Sequence, residues 1–417
     1  MYPPALKHRR FRLLWSGLLI SVAGTQMQNA AILWHVNQLS PHPIALGAVG
    51  LARVVPVLAF SLIAGVAADT FNRRRLMFVT QAGLAVLSTL LAVLTWMGRD
   101  SLGVVYLIVA LLAATGTFDL PARQSLVPNL VERKDLTNAF SLTSIAFQIG
   151  SIAGPALGGL VLARLGIAFA YLINALTYLA VIVALIRMGD VPQEKVRSEH
   201  RPTGPRAFLR DVVEGLGFVR SEPLILSTML LDFFATFFSS ATALLPIFAR
   251  QILGVGAIGY GWLVAAPAIG AAAAALVVAL GRQITSQGRT LLTAVTGFGV
   301  ATVVFGVSQS FWLTFLALAV TGATDGISMI IRNTIRQLRT PDALRGRMTS
   351  VNQIFFMGGP QLGEMEAGLV AQLWGAPLSV VTGGLGCLLA VLWVRLRFPQ
   401  LLEYSGSEPA AAVPLTP

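Results

Sequence analysis

Twelve apolar runs, each near the ~20 residues a helix needs to cross a bilayer, leave this chain few folds to choose from. The first six cover roughly 11–37, 44–68, 76–97, 102–122, 138–163 and 167–187. The second six cover roughly 222–249, 257–280, 290–308, 310–331, 348–373 and 376–396. Inside hydrocarbon every backbone N–H and C=O must pair within its own segment, so runs of this length read as helices. A water-soluble chain of 417 residues would hold two or three domains. Here 55% of residues are hydrophobic and only 12% charged, which is a membrane composition. The 40 Gly and 21 Pro suit packed and interrupted membrane helices.

The net charge of +12 does not point to nucleic acid, because the basic residues are not gathered into a patch with aromatics. They lie in loops. With the N-terminus in the cytoplasm, 26 of the 30 Lys and Arg fall on the inner side. The outer side holds only Arg99, Arg164 and Arg250, and Arg53 lies within a span. That asymmetry predicts an even number of spans with both termini cytoplasmic, and anionic membrane lipids as partners. The preference for Arg over Lys with the Ala and Gly richness points to a bacterial inner membrane. Cys387 is the single cysteine, so no internal disulfide is available.

The two sets of six echo one another. Gly154-Pro155-Ala-Leu157-Gly158 matches Gly359-Pro360-Gln-Leu362-Gly363 in register. The loop Gly281 to Arg289 echoes the stretch Gly65 to Arg75 with its acid lost. Two similar halves are the parallel repeat of a transporter fold. The expected organisation is a six-helix bundle over 1–188, a cytoplasmic linker over 189–220, a second six-helix bundle over 221–398, and a disordered tail over 399–417. Within the linker, Pro192, Pro202, Gly204 and Pro205 frame a short amphipathic helix near Ala207 to Phe218.

Between the second and third runs stands Gly65-Val-Ala-Ala-Asp69-Thr-Phe-Asn-Arg73-Arg74-Arg75. Topology alone would account for the arginines but not for the Gly-x-x-x-Asp before them. The stretch resembles the signature loop of the major facilitator superfamily, with Thr70 where an Arg is usual and Asn72 where Gly is common. The fifth run carries Gly150, Gly154, Pro155, Gly158 and Gly159, similar to the fifth-helix motif of antiporters in that superfamily, though small-residue packing occurs in many membrane helices. Asp119 with Arg123, and Asp325 with Arg332 and the later Arg345-Gly346-Arg347, look like the drug and siderophore exporter branch, which includes the enterobactin exporter and macrolide efflux proteins. The resemblance implies an all-α membrane protein of twelve transmembrane helices in two pseudo-symmetric six-helix bundles. It further implies an ion-coupled exporter of amphipathic small molecules, with a proton as the expected coupling ion and sodium as the alternative.

The inner-face charges suggest a conformational latch. Gly65, Asp69, Arg73, Arg74, Asp119 and Arg123 would hold the inner ends of the halves by charge-assisted contacts. Charges deep in spans are costly and mark ion or substrate paths. Arg53, Asp232, Glu364 and Glu366 are such charges. At 100° per residue, Asp232 and Thr236 share a stripe and Gln361 and Glu364 share a face, so Asp232 and Glu364 are the preferred proton carriers. Their structural alternative is an ion pair with Arg53 or a helix end. Asn29 and Gln361 are candidate substrate ligands, although polar residues that merely join helices are as common. The Phe233, Phe234, Phe237 and Phe238 cluster reads as packing surface.

No Gly-x-x-x-x-Gly-Lys-Ser/Thr loop, His-Glu-x-x-His or nucleophile elbow occurs in the sequence. The four His and one Cys are scattered, so neither a metal nor another cofactor is expected, and the chain is not expected to be an enzyme. The expectation is therefore a secondary active exporter working by alternating access and proton antiport. An importer or lipid flippase on the same fold is the nearer alternative, and a non-transporting membrane receptor the more distant one.

Overall fold

The computed structural model describes residues 3–192, 205–281, 284–341 and 344–406, without the side chains of 62, 69, 205–212, 345–347, 349–350 and 353–357. Six long helices come first: α1 (Arg9–Leu39), α2 (Pro43–Thr70), α3 (Arg73–Trp96), α4 (Leu102–Leu126), α5 (Leu136–Arg164) and α6 (Ile167–Met188). At about 1.5 Å per residue they span roughly 33–46 Å, enough for a bilayer core. Then α7 (Pro205–Ser221) leads into α8 (Pro223–Phe238). The seventh span is not one helix. It breaks after Phe238, resumes as a 3-10 turn over Ala241–Leu244 and the short α9 (Leu245–Ile247), and ends in a π turn over Phe248–Ile252. The set closes with α10 (Gly256–Leu280), α11 (Gln287–Val307), α12 (Phe311–Arg339), α13 (Arg345–Trp374) and α14 (Ala376–Arg397).

Local chemistry sets the ends. Pro43 and Pro223 open α2 and α8, where a missing N–H costs nothing. Asn72 caps α3 by accepting from the Arg75 N–H at 3.1 Å. Gly166 and Gly375 turn the chain between paired helices at φ of 94° and 88°, a region that side chains avoid. These two glycines occupy the same place in each half, one between α5 and α6 and one between α13 and α14. Ten spans qualify by length and hydropathy among the described residues. Their lengths are matched by α1 and α13, which carry polar groups such as Gln28, Asn29 and His35, or Gln361 and Glu364.

The chain forms two compact units. The first is Met1–Gly204 with Leu245–Ala265, and the second is Pro205–Leu244 with Ala266–Pro417. In the first, α1 packs between α5 and α6, α3 between α4 and α6, and α2 against α4. In the second, α8 packs between α13 and α14, and α11 between α12 and α14. The final part of α10 crosses α12 where Pro267 meets Gly322 and Ala319 meets Gly270. Neighbour relations are thus the same in both halves.

Each unit has its own apolar core. Phe11, Leu14, Met77, Leu126 and Leu185 pack at the end of the first unit that holds the N-terminus. In the second, Leu291, Val295, Ile335 and Val394 pack with Leu401 and Tyr404. Folded chain therefore continues past 398, where the tail was expected to begin: α15 (Gln400–Glu403) seats Leu401 and Tyr404 in that core, and the Gly288 N–H donates to the Tyr404 carbonyl at 3.0 Å. Residues 407–417 lie outside the described residues. Large apolar side chains stay exposed along the spans, Val86 and Leu389 at 66% and Leu276 at 61%. In water that surface would be a liability, and against acyl chains it is the natural solvent boundary.

Candidate coupling site

The second unit buries a cluster of charge. Asp232 sits on α8 at 7% exposure and Arg332 on α12 at 4%. Arg332 Nη1 donates to Asp232 Oδ1, and Nη2 donates to Asp325 Oδ1 at 3.2 Å. Asp325 lies seven residues before Arg332, two turns along the same helix face. One turn further on, Arg336 Nε donates to the Arg332 carbonyl at 3.3 Å and its Nη2 to Asn333 Oδ1. One guanidinium thus holds two carboxylates in a span, one buried and one more open. Arg332 Nε is buried with no acceptor among the described residues. A proton added to Asp232 would remove one arm and leave Arg332 on Asp325, so the cluster has two chemically sensible states.

Sequence reasoning singled out Asp232 as a candidate and offered Arg53 or a helix end as its structural partner; the partner is Arg332, 100 residues away. The helical stripe of Asp232 and Thr236, which by sequence would run on through Ser239 and Ala243, stops sooner. Thr236 Oγ1 donates to the Asp232 carbonyl at 2.7 Å, and α8 ends two residues later at Phe238. Glu364 is half-buried on α13, and Gln361, one turn before it, has a buried Oε1 without a donor among the described residues. Arg53 is half-buried on α2, with a buried Nη2 that meets no acceptor among the described residues. Phe233 stacks on Phe237 and Phe234 meets Trp393 edge-on, a packing arrangement.

The candidate latch residues occupy the N-terminus-bearing end of the first unit. Asp119 is buried on α4 and accepts from Thr80 Oγ1 at 3.1 Å and Gln81 Nε2 at 2.8 Å, both on α3. It does not meet Arg73, the partner expected from sequence. Arg73 donates to the Ser125 carbonyl at 3.1 Å and to Asn129 Oδ1 at 2.9 Å, tying the start of α3 to the end of α4. Arg74 reaches the Leu185 carbonyl at 2.8 Å and Asp190 at 3.1 Å. Arg123 lies over the Phe147 ring at 5.5 Å. Gly65 has open space where a Cβ would stand. The side chain of Asp69 lies outside the described residues.

Asn29 Nδ2 donates to Gln26 Oε1 at 3.0 Å, and Gln26 Nε2 to Ser151 Oγ at 3.1 Å on α5. Asn174 Nδ2 donates to the buried Gln28 Oε1 at 2.9 Å. The polar residues of α1 therefore join it to α5 and α6. On α5, a Cβ at Gly154 would strike the Ala23 carbonyl of α1, and one at Gly159 would lie 2.5 Å from the Ala257 carbonyl of α10. In the other half, Gly363 meets the Phe237 carbonyl of α8, and a Cβ at Gly359 would lie 2.8 Å from Thr236 Oγ1. Both Gly-Pro motifs are thus close helix crossings at equivalent places, span five on span one and span eleven on span seven.

The family model described as transmembrane secretion effector matches residues 2–414. This chain belongs to the major facilitator superfamily. It is 30% identical to the multidrug efflux pump Tap of Mycolicibacterium fortuitum over 403 residues, covering 92% of this chain and 96% of that protein. It is 23% identical to the enterobactin exporter EntS of Citrobacter koseri, over 96% of this chain and 95% of that one. A solved bacterial homologue of the human lysosomal transporter Spinster superposes with a TM-score of 0.73 at 14% identity, over 98% of this chain and 100% of that chain. The protein is a multi-pass membrane transporter of a small-molecule substrate and not an enzyme.

Three features of this transporter escaped sequence reasoning. Thr80 and Gln81 hold Asp119, and Arg332 holds Asp232. The last gave little signal: Arg332 stands one residue past the tenth apolar run and counted there as an inner-side base, whereas α12 continues to Arg339 and buries it.

Proposed function

We propose that this transporter exports amphipathic small molecules by alternating access, in exchange for protons moving inward. The carrying observation is the buried Asp232–Arg332–Asp325 cluster, an ion pair in a span whose balance one proton would change. Export is supported by full-length similarity to proteins named as an efflux pump and an exporter. In this reading Asp232 accepts a proton from outside, Arg332 shifts its weight to Asp325, and the span carrying Arg332 responds. Glu364 on α13 serves as a second titrating group, and Arg53, Asn29 and Gln361 are the candidate substrate ligands. Gly65, Asp69, Arg73, Arg74, Asp119 and Arg123 set the balance between conformations, and the α5 glycines allow the helices to slide.

Efflux of a fluorescent dye or a macrolide from expressing cells tests this, with and without a proton uncoupler. Export should stop when the gradient collapses, and Asp232→Asn should lower uphill efflux at least about tenfold while the protein still inserts. Undiminished pumping by the variant, or uptake instead of efflux in right-side-out vesicles, would rule the reading out.

A further inference from the structure

We propose that the N-terminus-bearing end of the first unit binds the phosphate of an anionic phospholipid headgroup. A cavity of about 380 Å³ opens there between three elements. It is lined by His8, Arg9, Arg10 and Leu13 of the first helix and its lead-in, by Asn129 just after α4, and by Arg187 in the last turn of α6.

Its polar lining is made of donors, and the nearby acids are already engaged. His8 Nε2 stands 2.7 Å from Asp135 Oδ2, so that carboxylate oxygen already has a partner. The carboxylate of Asp190 takes Arg74 at 3.1 Å, and its main-chain oxygen takes Arg10 Nη2 at 2.9 Å. Asn129 Oδ1 accepts from Arg73, which leaves its amide N–H groups for the cavity. Arg9 and Arg187 are exposed and meet no acid among the described residues. A small space with three guanidiniums, amide donors and no lining carboxylate suits a ligand with several acceptor oxygens, and phosphate is the common one.

The setting selects lipid over a free ion. Arginines in the first turn of α1 and the last turn of α6 lie where spans leave the hydrocarbon, at headgroup depth. Leu13 also lines the cavity, and Ile20, two turns further along the same helix, remains 50% exposed. The volume, about that of a dozen waters, exceeds what a bare inorganic anion fills. Nothing in this site depends on the export reading above.

Native mass spectrometry of the full-length protein in detergent, titrated with dioleoyl phosphatidylglycerol or dioleoyl phosphatidylcholine, tests the assignment. The first phosphatidylglycerol should bind in preference to phosphatidylcholine. The double variant Arg9→Gln/Arg187→Gln should bind it roughly 30-fold more weakly, and each single variant roughly fivefold, from ~1 kcal/mol per basic residue at the membrane surface. Arg395→Gln/Arg397→Gln, at the end of α14, should leave that first site unchanged. An unchanged affinity in the Arg9 and Arg187 variants overturns the site. Competition by millimolar inorganic phosphate as effective as that by the lipid overturns the headgroup assignment. If the double variant fails to fold, the two single variants decide the question.

Discussion

At the scale of single residues the molecule is governed by who partners each buried charge. Asp232 without Arg332 would be a bare carboxylate in a span, and breaking such a buried pair costs about 3–5 kcal/mol. Arg332→Gln is therefore expected to lower the melting temperature markedly, whereas Asp232→Asn/Arg332→Gln should recover much of the loss. Thermal melts of the two singles and the double give the coupling energy, and a value under ~0.5 kcal/mol would mean that the contact holds nothing. Asp119 is solved differently, by neutral donors. Thr80 and Gln81 supply two neutral donors in place of an ion pair. Asp119 was legible as a charged group at the end of an apolar run; its partners were not, since Thr and Gln in an apolar run carry no directional signal.

Among the helices, contact distance decides. The α5 glycines face three neighbours with different tolerance: Gly154 touches α1 backbone, Gly159 touches α10 backbone, and Gly158 would meet the flexible Met27 side chain at 3.0 Å. Gly154→Val should thus destabilise by more than the ~1–3 kcal/mol usual for overpacking, because a carbonyl cannot move aside as a side chain can. Gly65→Ala, with open space around it, should leave the melting temperature within about a degree. A transport defect in Gly65→Ala at unchanged stability would assign that glycine to motion rather than packing. If Gly154→Val melts like the parent protein, the close crossing of α5 and α1 is not a stability determinant. The interruption of the seventh span shows the limit of periodicity: Ser239 and Ser240 are no stronger as breakers than residues inside other spans. Only the crossings of α13 and α14 over that segment, at Gly363 and Gly383, explain a turn there.

Across the whole molecule, an even number of spans together with the arginine distribution predicts both ends of the chain on the cytoplasmic face. Reporter tags at both termini should be shielded from outside reagents in intact cells and exposed on permeabilisation. Labelling of either tag in intact cells would overturn the topology. What the amino-acid sequence decided by itself was the set of twelve spans, though not the break within the seventh, since hydrocarbon makes an apolar run satisfy its backbone within the segment. It also carried the repeat, because the two Gly-Pro motifs and the turns at Gly166 and Gly375 recur at matching places. What only the tertiary structure decided was pairing: Arg332 with Asp232, Gln81 with Asp119, and the seating of Leu401 and Tyr404 in the second core. Hydropathy is a property of a segment and can be read along a line. A partner for a buried charge or an aromatic ring is set by which helices meet and at what depth, and that exists only once the bundle has closed.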